Sequence, residues 1–499
     1  MKAHLMYPDR DFDSEAKLSA QQQTLIQDLE LDTLFQAMAG GDKLILEVVR
    51  RAVTGGLAAP EEILYRQSIL RDCIKNPDVV RTLYKIASDA IQKKKDIWWI
   101  TSGMFLSSVL SGAVNLLQMF AGMLKMLRGV ADKHAGQFES EGFSALFSML
   151  QRELDDEYFA LLQTHLHELK FYDGILIGAE LGGHNQGVHY MLRRQQDKKL
   201  RRLKWYFAPS FSVNPRDENG CTDLAKRRDR ALNLATNAVA QSADHVCNFF
   251  IMLQTELAFY VGCLNVYERL AAKGEPVCFP EPSGCRTRRH AFGGLYDISL
   301  ALILGQRVAG NRLDADDKEL FVITGANQGG KSTFLRSIGQ AQLLMQCGMF
   351  VPAERFAANI CSKVFTHYKR QEDATMKSGK LDEELARMSG IVDEIEPDSM
   401  ILFNESFAAT NEREGSEIGR QIVNALLEKH MKVFFVTHLY DFAHSYYEKE
   451  LPGAIFLRAG RQPDGRRTFQ LAEGEPLQTS FGDDLYAKIF ENAPDKPAV

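Results

Sequence analysis

Gly325-Ala326-Asn327-Gln328-Gly329-Gly330-Lys331-Ser332 is the stretch whose reading decides the fold of the carboxy-terminal half. It fits G-x-x-x-x-G-K-[ST], a phosphate-binding loop. An apolar run from Leu320 to Thr324 precedes it as a strand, and a helical pattern from Ser332 to Gln346 follows. Glycines let backbone N–H groups curl around phosphate oxygens, and the helix N-terminus adds partial positive charge. Lys331 has the reach for the β- and γ-phosphates, and the Ser332 hydroxyl can ligate Mg²⁺. Gly325, Asn327, Gln328, Gly329, Gly330, Lys331, Ser332 and Thr333 therefore form the expected nucleotide cradle. A chance glycine-rich turn would not come with this strand–loop–helix context.

Outward from the loop, Lys363 to His367, Met400 to Phe403 and Val433 to Thr437 read as further short buried strands separated by helical patterns, the grammar of an α/β domain. The second of these ends in Asn404-Glu405. An Asp normally stands first at such a strand end and holds Mg²⁺ through water, with a following Glu that polarises the attacking water. Asn404 brings an acceptor without charge, and Glu405 takes the general-base position; an acidic helix cap is the plainer alternative. Ser332, Asn404 and Glu405 are the candidate metal-side groups. The last strand ends in His438, placed to sense the γ-phosphate unless it is only a structural hydrogen bonder.

Upstream, apolar residues at three- and four-residue spacing make residues 20 to 165 helical. Short strands are expected at Ile175-Leu176-Ile177 and around Tyr190. From Ala231 to Lys273, two rows repeat every seven residues: Leu232, Val239, Val246, Leu253, Tyr260 and Tyr267, and Ala243, Phe250, Leu257 and Leu264. That predicts one long helix with a seam for a partner helix. Pro276, Pro280, Pro282 and Gly284 mark a linker. The expected division is a tail at 1–24, a helical core and lever at 25–275 with a small β-containing basic insertion at 168–230, a linker at 276–294, and the α/β nucleotide-binding domain at 295–499.

The chain has 499 residues, with 59 Lys and Arg against 65 Asp and Glu, a net charge of −6. This excludes a protein that is basic throughout but not a local basic patch. Residues 191–230 are such a patch, with twelve Arg and Lys against five acids and Trp205-Tyr206-Phe207 beside its densest run. Arg193, Arg194, Lys198, Lys199, Arg201, Arg202 and Lys204 are the candidate DNA contacts, able to neutralise phosphates without reading sequence. A solvated basic helix face is the alternative. Eight cysteines form no Cys-x-x-Cys pair, which favours reduced thiols and a cytoplasmic location. Ile97 to Leu124 holds no charged residue, but its Ser, Thr, Asn and Gln content fits a buried helical hairpin better than a membrane span.

These residues resemble the MutS DNA mismatch repair ATPases. Thr324-Gly325-x-Asn327-x-Gly329-Gly330-Lys331-Ser332-Thr333 looks like that family's phosphate loop. Phe350-Val351-Pro352-Ala353, Thr437-His438 and Ser480-Phe481-Gly482 look like its later motifs, and Ile63-Leu64-Tyr65-Arg66-Gln67 looks like its core-domain helix. The resemblance implies an all-α lever and core with a clamp-like insertion, followed by a P-loop, ABC-type ATPase domain. It also implies ATP and Mg²⁺ as ligands, a homodimer in which each nucleotide is completed by the partner, and catalysis by Lys331, Glu405 and His438. The expected function is an ATPase that controls a dimeric clamp on double-stranded or branched DNA in repair or recombination, without stable membrane association. Three departures qualify it. No mismatch-reading domain is expected, Asn404 stands where an Asp is usual, and Leu381-Asp382-Glu383-Glu384 follows Ser378-Gly379-Lys380 where a serine-rich segment would reach the partner's nucleotide. The rival expectation is a non-catalytic or very slow ATP switch acting on a protein or membrane partner.

Overall fold

A computed structural model describes residues 1–101, 105–172, 174–194, 209–369, 379–462 and 466–478. Lys198, Lys199, Arg201, Arg202, Lys204 and Ser480-Phe481-Gly482 lie outside the described residues. The chain folds into two compact units, one of Met1–Leu5 with Asn76–Leu257 and one of Met6–Lys75 with Ala258–Val499.

In the second unit, four helices come first: α1 (Ala20–Asp28), α2 (Leu31–Ala39), α3 (Lys43–Gly55) and α4 (Pro60–Lys75). These helices, expected in the helical core, pack instead with the α/β residues. Side-chain amides and one guanidinium tie them there. Gln340 donates to the Leu29 carbonyl at 3.0 Å, Gln21 to that of Val364 at 2.9 Å, and the buried Arg66 to those of Met6 and Cys347.

The first unit is mainly helical. It contains α5 (Pro77–Thr101), α6 (Leu106–His134), α7 (Glu141–Glu153) and α8 (Asp156–Glu168), then an antiparallel hairpin of β1 (Ile177–Leu181) and β2 (Gly187–Leu192). The long helix α9 runs from Glu218 to Ala272 and contributes residues to both units. It begins thirteen residues before the expected start, because Ala231 is preceded by a charged but helix-compatible segment whose Arg227 bonds Asp223 one turn back, at 2.7 Å. Its second heptad row, Ala243, Phe250, Leu257 and Leu264, is buried throughout, as the spacing predicts. In the first unit, Phe250 packs on Phe120 of α6. Two helical stretches, Leu106–Gln137 and Glu218–Ala272, are long and apolar enough to cross a membrane; 50% and 78% of their apolar windows are buried, as core helices also are.

After α9 come β3 (Glu281–Ser283), β4 (His290–Leu295), α10 (Ile298–Ile303), β5 (Asn311–Asp314), β6 (Leu320–Gly325), α11 (Lys331–Gln346), β7 (Arg355–Asn359), β8 (Val364–Tyr368), α12 (Lys380–Glu394), β9 (Met400–Asn404), α13 (Glu412–Glu428), β10 (Lys432–Val436), α14 (Tyr440–Tyr447), β11 (Ala454–Arg461) and β12 (Arg467–Glu473). One sheet has the order β12-β11-β6-β10-β9-β8, all parallel except β12; the other has the order β3-β7-β4-β5. The stretch expected as a linker thus carries two paired strands, since its prolines occupy short or edge positions that need no ladder donor. Between the sheets, His290 sits among the rings of Phe292, Phe321, Phe356 and Phe434.

This topology places the site. β6, β10 and β9 are neighbours in parallel register, with Ile323 beside Val436 and Val436 beside Asn404. Their carboxyl ends therefore converge, the usual position for ligands of open α/β sheets.

Candidate nucleotide site

The loop between β6 and α11 is shaped by close approach. Gly325 has φ +108°, and a Cβ there would lie 2.8 Å from the Ala459 nitrogen on β11; a Cβ on Gly329 would meet the Ala326 carbonyl at 2.8 Å. Only glycine fits both places. The loop opens on a cavity of about 540 Å³ lined by Asn327 to Phe334, Glu405 and Phe469, with Tyr296 and Arg307 on its wall.

Lys331 is the first residue of α11 and is 5% exposed. Its Nζ donates to the carbonyls of Gly325 and Ala326, both at 3.0 Å. Burial pulls its pKa down to about 8, with Glu405 acting in the opposite direction. The lysine is thus parked on its own loop. The Ser332 hydroxyl donates to Asn404 Oδ1 at 3.0 Å, so two of the three candidate metal-side groups meet as a neutral pair of oxygen ligands.

Glu405 Oε1 accepts from His438 Nε2 at 3.0 Å. A carboxylate only accepts, so Nε2 carries the proton. That hydrogen bond is the main reason the Glu405 carboxyl sits below its ordinary value; burial opposes it, while the charges of His438, Lys331 and Lys369 add to it. The Glu405 nitrogen bonds the Val436 carbonyl at 2.9 Å, which ties the end of β9 to the end of β10. An ionised carboxylate beside a cation and an imidazole can hold and orient a water molecule.

The structure therefore brings Gly325, Asn327, Gln328, Gly329, Gly330, Lys331, Ser332, Thr333, Asn404, Glu405 and His438 to the ends of adjacent strands. Arg193 and Arg194 belong to the other unit, where they follow β2 and are exposed; Arg194 pairs with Glu168 at 2.8 Å. Sequence reasoning missed Arg467, whose Nε donates to the Asn327 carbonyl at 3.1 Å and whose charge reaches Lys331. No motif announces a strand residue that reaches a loop 140 positions away. Arg288 pairs with Glu319 and Asp398, and Arg289 with Glu281. No group of three or more His, Cys, Asp or Glu is arranged for a metal ion among the described residues.

Residues 58–273 match the family model described as the MutS2 N-terminal domain, and residues 321–481 match the one described as MutS domain V. The chain belongs to the MutS family. The loop, Asn404, Glu405 and His438 all fall within the domain V match, and Arg193 and Arg194 within the other. Among curated relatives, it is 27% identical to the DNA mismatch repair protein MutS of Syntrophomonas wolfei over 186 residues, which is 37% of this chain and 21% of that protein. It is 35% identical to the protein of the same name from Leptospira interrogans over 26% of this chain and 15% of that one. MutS protein homolog 4 of Mus musculus is 31% identical over 28% of this chain and 14% of its own length. The chain thus spans about a fifth or less of these relatives.

Proposed function

We propose that this MutS-family chain binds ATP with Mg²⁺ at the loop after β6, hydrolyses it slowly, and uses the nucleotide state to control the grip of a homodimer on double-stranded or branched DNA. The convergence of Lys331, Ser332, Asn404, Glu405 and His438 at adjacent strand ends carries this reading. The DNA half rests on the basic segment from Arg193 to Lys204 and on the names of the relatives. A cytoplasmic location belongs to the same reading, with all eight cysteines free.

On phosphate arrival, Lys331 would exchange the Gly325 and Ala326 carbonyls for phosphate oxygens, and the loop amides would hold the remaining charge. Hard oxygen donors suit Mg²⁺, and Ser332 directly with Asn404 through water would hold it. When bound, the ion supplies neutralisation of phosphate charge. Glu405 would orient the attacking water, and His438, now bonded to Glu405, would report the γ-phosphate by exchanging partners.

The test is ATP hydrolysis by the full chain with and without homoduplex, mismatched, forked and four-way-junction DNA. Turnover that DNA stimulates is expected. The neutral Ser332–Asn404 pair favours a second reading, a non-catalytic or very slow ATP switch with a protein or membrane partner, and ATP binding with no turnover and no DNA response would establish it. Replacing Arg193, Arg194, Arg201, Arg202 and Lys204 with Glu should weaken DNA binding and flatten its salt dependence. Unchanged binding removes that segment from the function.

A further inference from the structure

The turn after β9 is held from behind by a buried polar network that the hydrolytic reading does not use. Glu405 has φ +56° and Phe407 has φ +61°. Two non-glycine residues in left-handed conformation within three positions are strained, because Cβ crowds the following carbonyl oxygen. Such strain persists only where the surroundings over-determine it. Here they do. The Phe407 N–H donates to Glu384 Oε2 on α12 at 2.8 Å, and the Ser406 hydroxyl lies 2.6 Å from the His367 carbonyl and 2.7 Å from His367 Nδ1. His367 Nε2 faces the Glu384 carbonyl at 3.0 Å. A carbonyl only accepts, so Nε2 carries the proton, while the Ser406 hydroxyl donates to the His367 carbonyl and faces Nδ1 of the same ring. The Phe407 ring stacks on His367 with centroids 5.3 Å apart.

All four residues are buried: Glu384 is 6% exposed, His367 1%, and Ser406 and Phe407 not at all. Burial raises the Glu384 carboxyl from its ordinary value. A buried carboxyl that caps one strained N–H is an expensive way to hold a turn, unless the turn's geometry matters.

We propose that Glu384, with His367 and Ser406, is a positioning residue for Glu405: the network locks the left-handed turn so that the Glu405 carboxylate stays on the cavity wall beside His438. The inference rests on Glu405 orienting water for hydrolysis. It makes α12 the element through which a displacement would reach Glu405, because Glu384 and Arg387, which donates to the Tyr368 carbonyl at 2.8 Å, tie that helix to the turn and to β8.

Steady-state ATP hydrolysis and equilibrium ATP binding by the full chain test it. Glu384→Ala should lower kcat by about ten- to a hundredfold while ATP affinity and KM stay within about twofold, because small misplacements cost rate rather than ground-state binding. Glu384→Gln keeps an oxygen acceptor for the Phe407 N–H and should recover most of kcat. Ser406→Ala, which removes only a hydroxyl, should lower kcat severalfold and serves where Glu384→Ala does not fold. The proposal is overturned if kcat of Glu384→Ala or Ser406→Ala stays within about twofold of the parent, if Glu384→Gln is as slow as Glu384→Ala, or if affinity falls in step with kcat. Glu405→Gln, run in parallel, separates the two levels: normal turnover there defeats the assignment of Glu405 itself, whatever Glu384 does.

Discussion

Two neighbouring turns build this site by opposite means. The loop after β6 takes two of its three left-handed positions at Gly325 and Gly330, where the conformation carries little penalty, and Gln328 supplies the third. The turn after β9 takes both of its positions at Glu405 and Phe407, where it is strained. The first turn is held by its own backbone and by the close approach of β11, and its one buried cation rests on its own carbonyls. The second needs a carboxyl from α12, a histidine from β8 and a fully buried aromatic ring. A glycine turn is thus free to adapt to a ligand, whereas a strained turn fixes one side chain at the expense of a shell of support.

The largest effect should separate binding from turnover between the two turns. Glu405→Gln is expected to lower hydrolysis by about 10²- to 10⁴-fold, the range of a lost general base, with ATP binding retained. Equilibrium binding and single-turnover assays check it, and loss of ATP binding would mean that the two turns do not divide the work in this way.

Phe407 measures the second turn's strain directly. Phe407→Ala should destabilise the fold by about 3–5 kcal/mol, as expected for vacating a buried ring. Phe407→Gly should do so by roughly 1 kcal/mol less, because glycine removes the left-handed penalty. Urea denaturation of both variants gives the order. Equal or reversed stabilities would show that Phe407 is not strained and would erase the contrast between the turns.

The same contrast explains what the residues announce in advance. The first turn is local: Gly325 to Ser332 is a contiguous pattern with its strand and helix attached, so loop, lysine and serine are all legible. Glu405 and His438 are legible as strand ends. Their pairing is not, because it depends on β9 and β10 being adjacent. The support behind Glu405 comes from residues 367 and 384, on two other elements, and no spacing connects them. Domain limits were hidden for a similar reason. Residues 20–75 have ordinary amphipathic helical periodicity, and nothing local says that Gln340 and Gln21 tie them to the α/β unit rather than to the helices that follow. The strands β3 and β4 hide among prolines and glycines that read as linker.

The glycine turn has its own test at Gly325. Gly325→Ala adds a left-handed penalty and a Cβ 2.8 Å from the Ala459 nitrogen, a backbone atom that cannot swing aside. A loss of about 1–3 kcal/mol in stability is expected, with ATP binding weakened as the loop shifts. A variant as stable as the parent would show that β11 gives way and that this turn is looser than its contacts imply.

The smallest effect, and the sharpest on the first turn, is a pH dependence of ATP binding set by Lys331. Burial holds the free lysine near a pKa of about 8, down from 10.5. A bound phosphate would favour the charged form and raise that value, so the complex holds more protons than the free protein at pH above about 8. By linkage, affinity is then level below that pH and falls as pH rises, by at most about tenfold per unit, until the pKa of the bound state is reached. Titrations of ATP binding between pH 7 and 9.5 check it. Glu405→Gln should steepen the early part of the fall, because Glu405 is the group that raises the Lys331 pKa, and its removal lets the lysine lose its proton at lower pH. A flat profile in both proteins would mean that Lys331 leaves its carbonyl partners before the nucleotide arrives, and that the glycine turn is already open in the free chain.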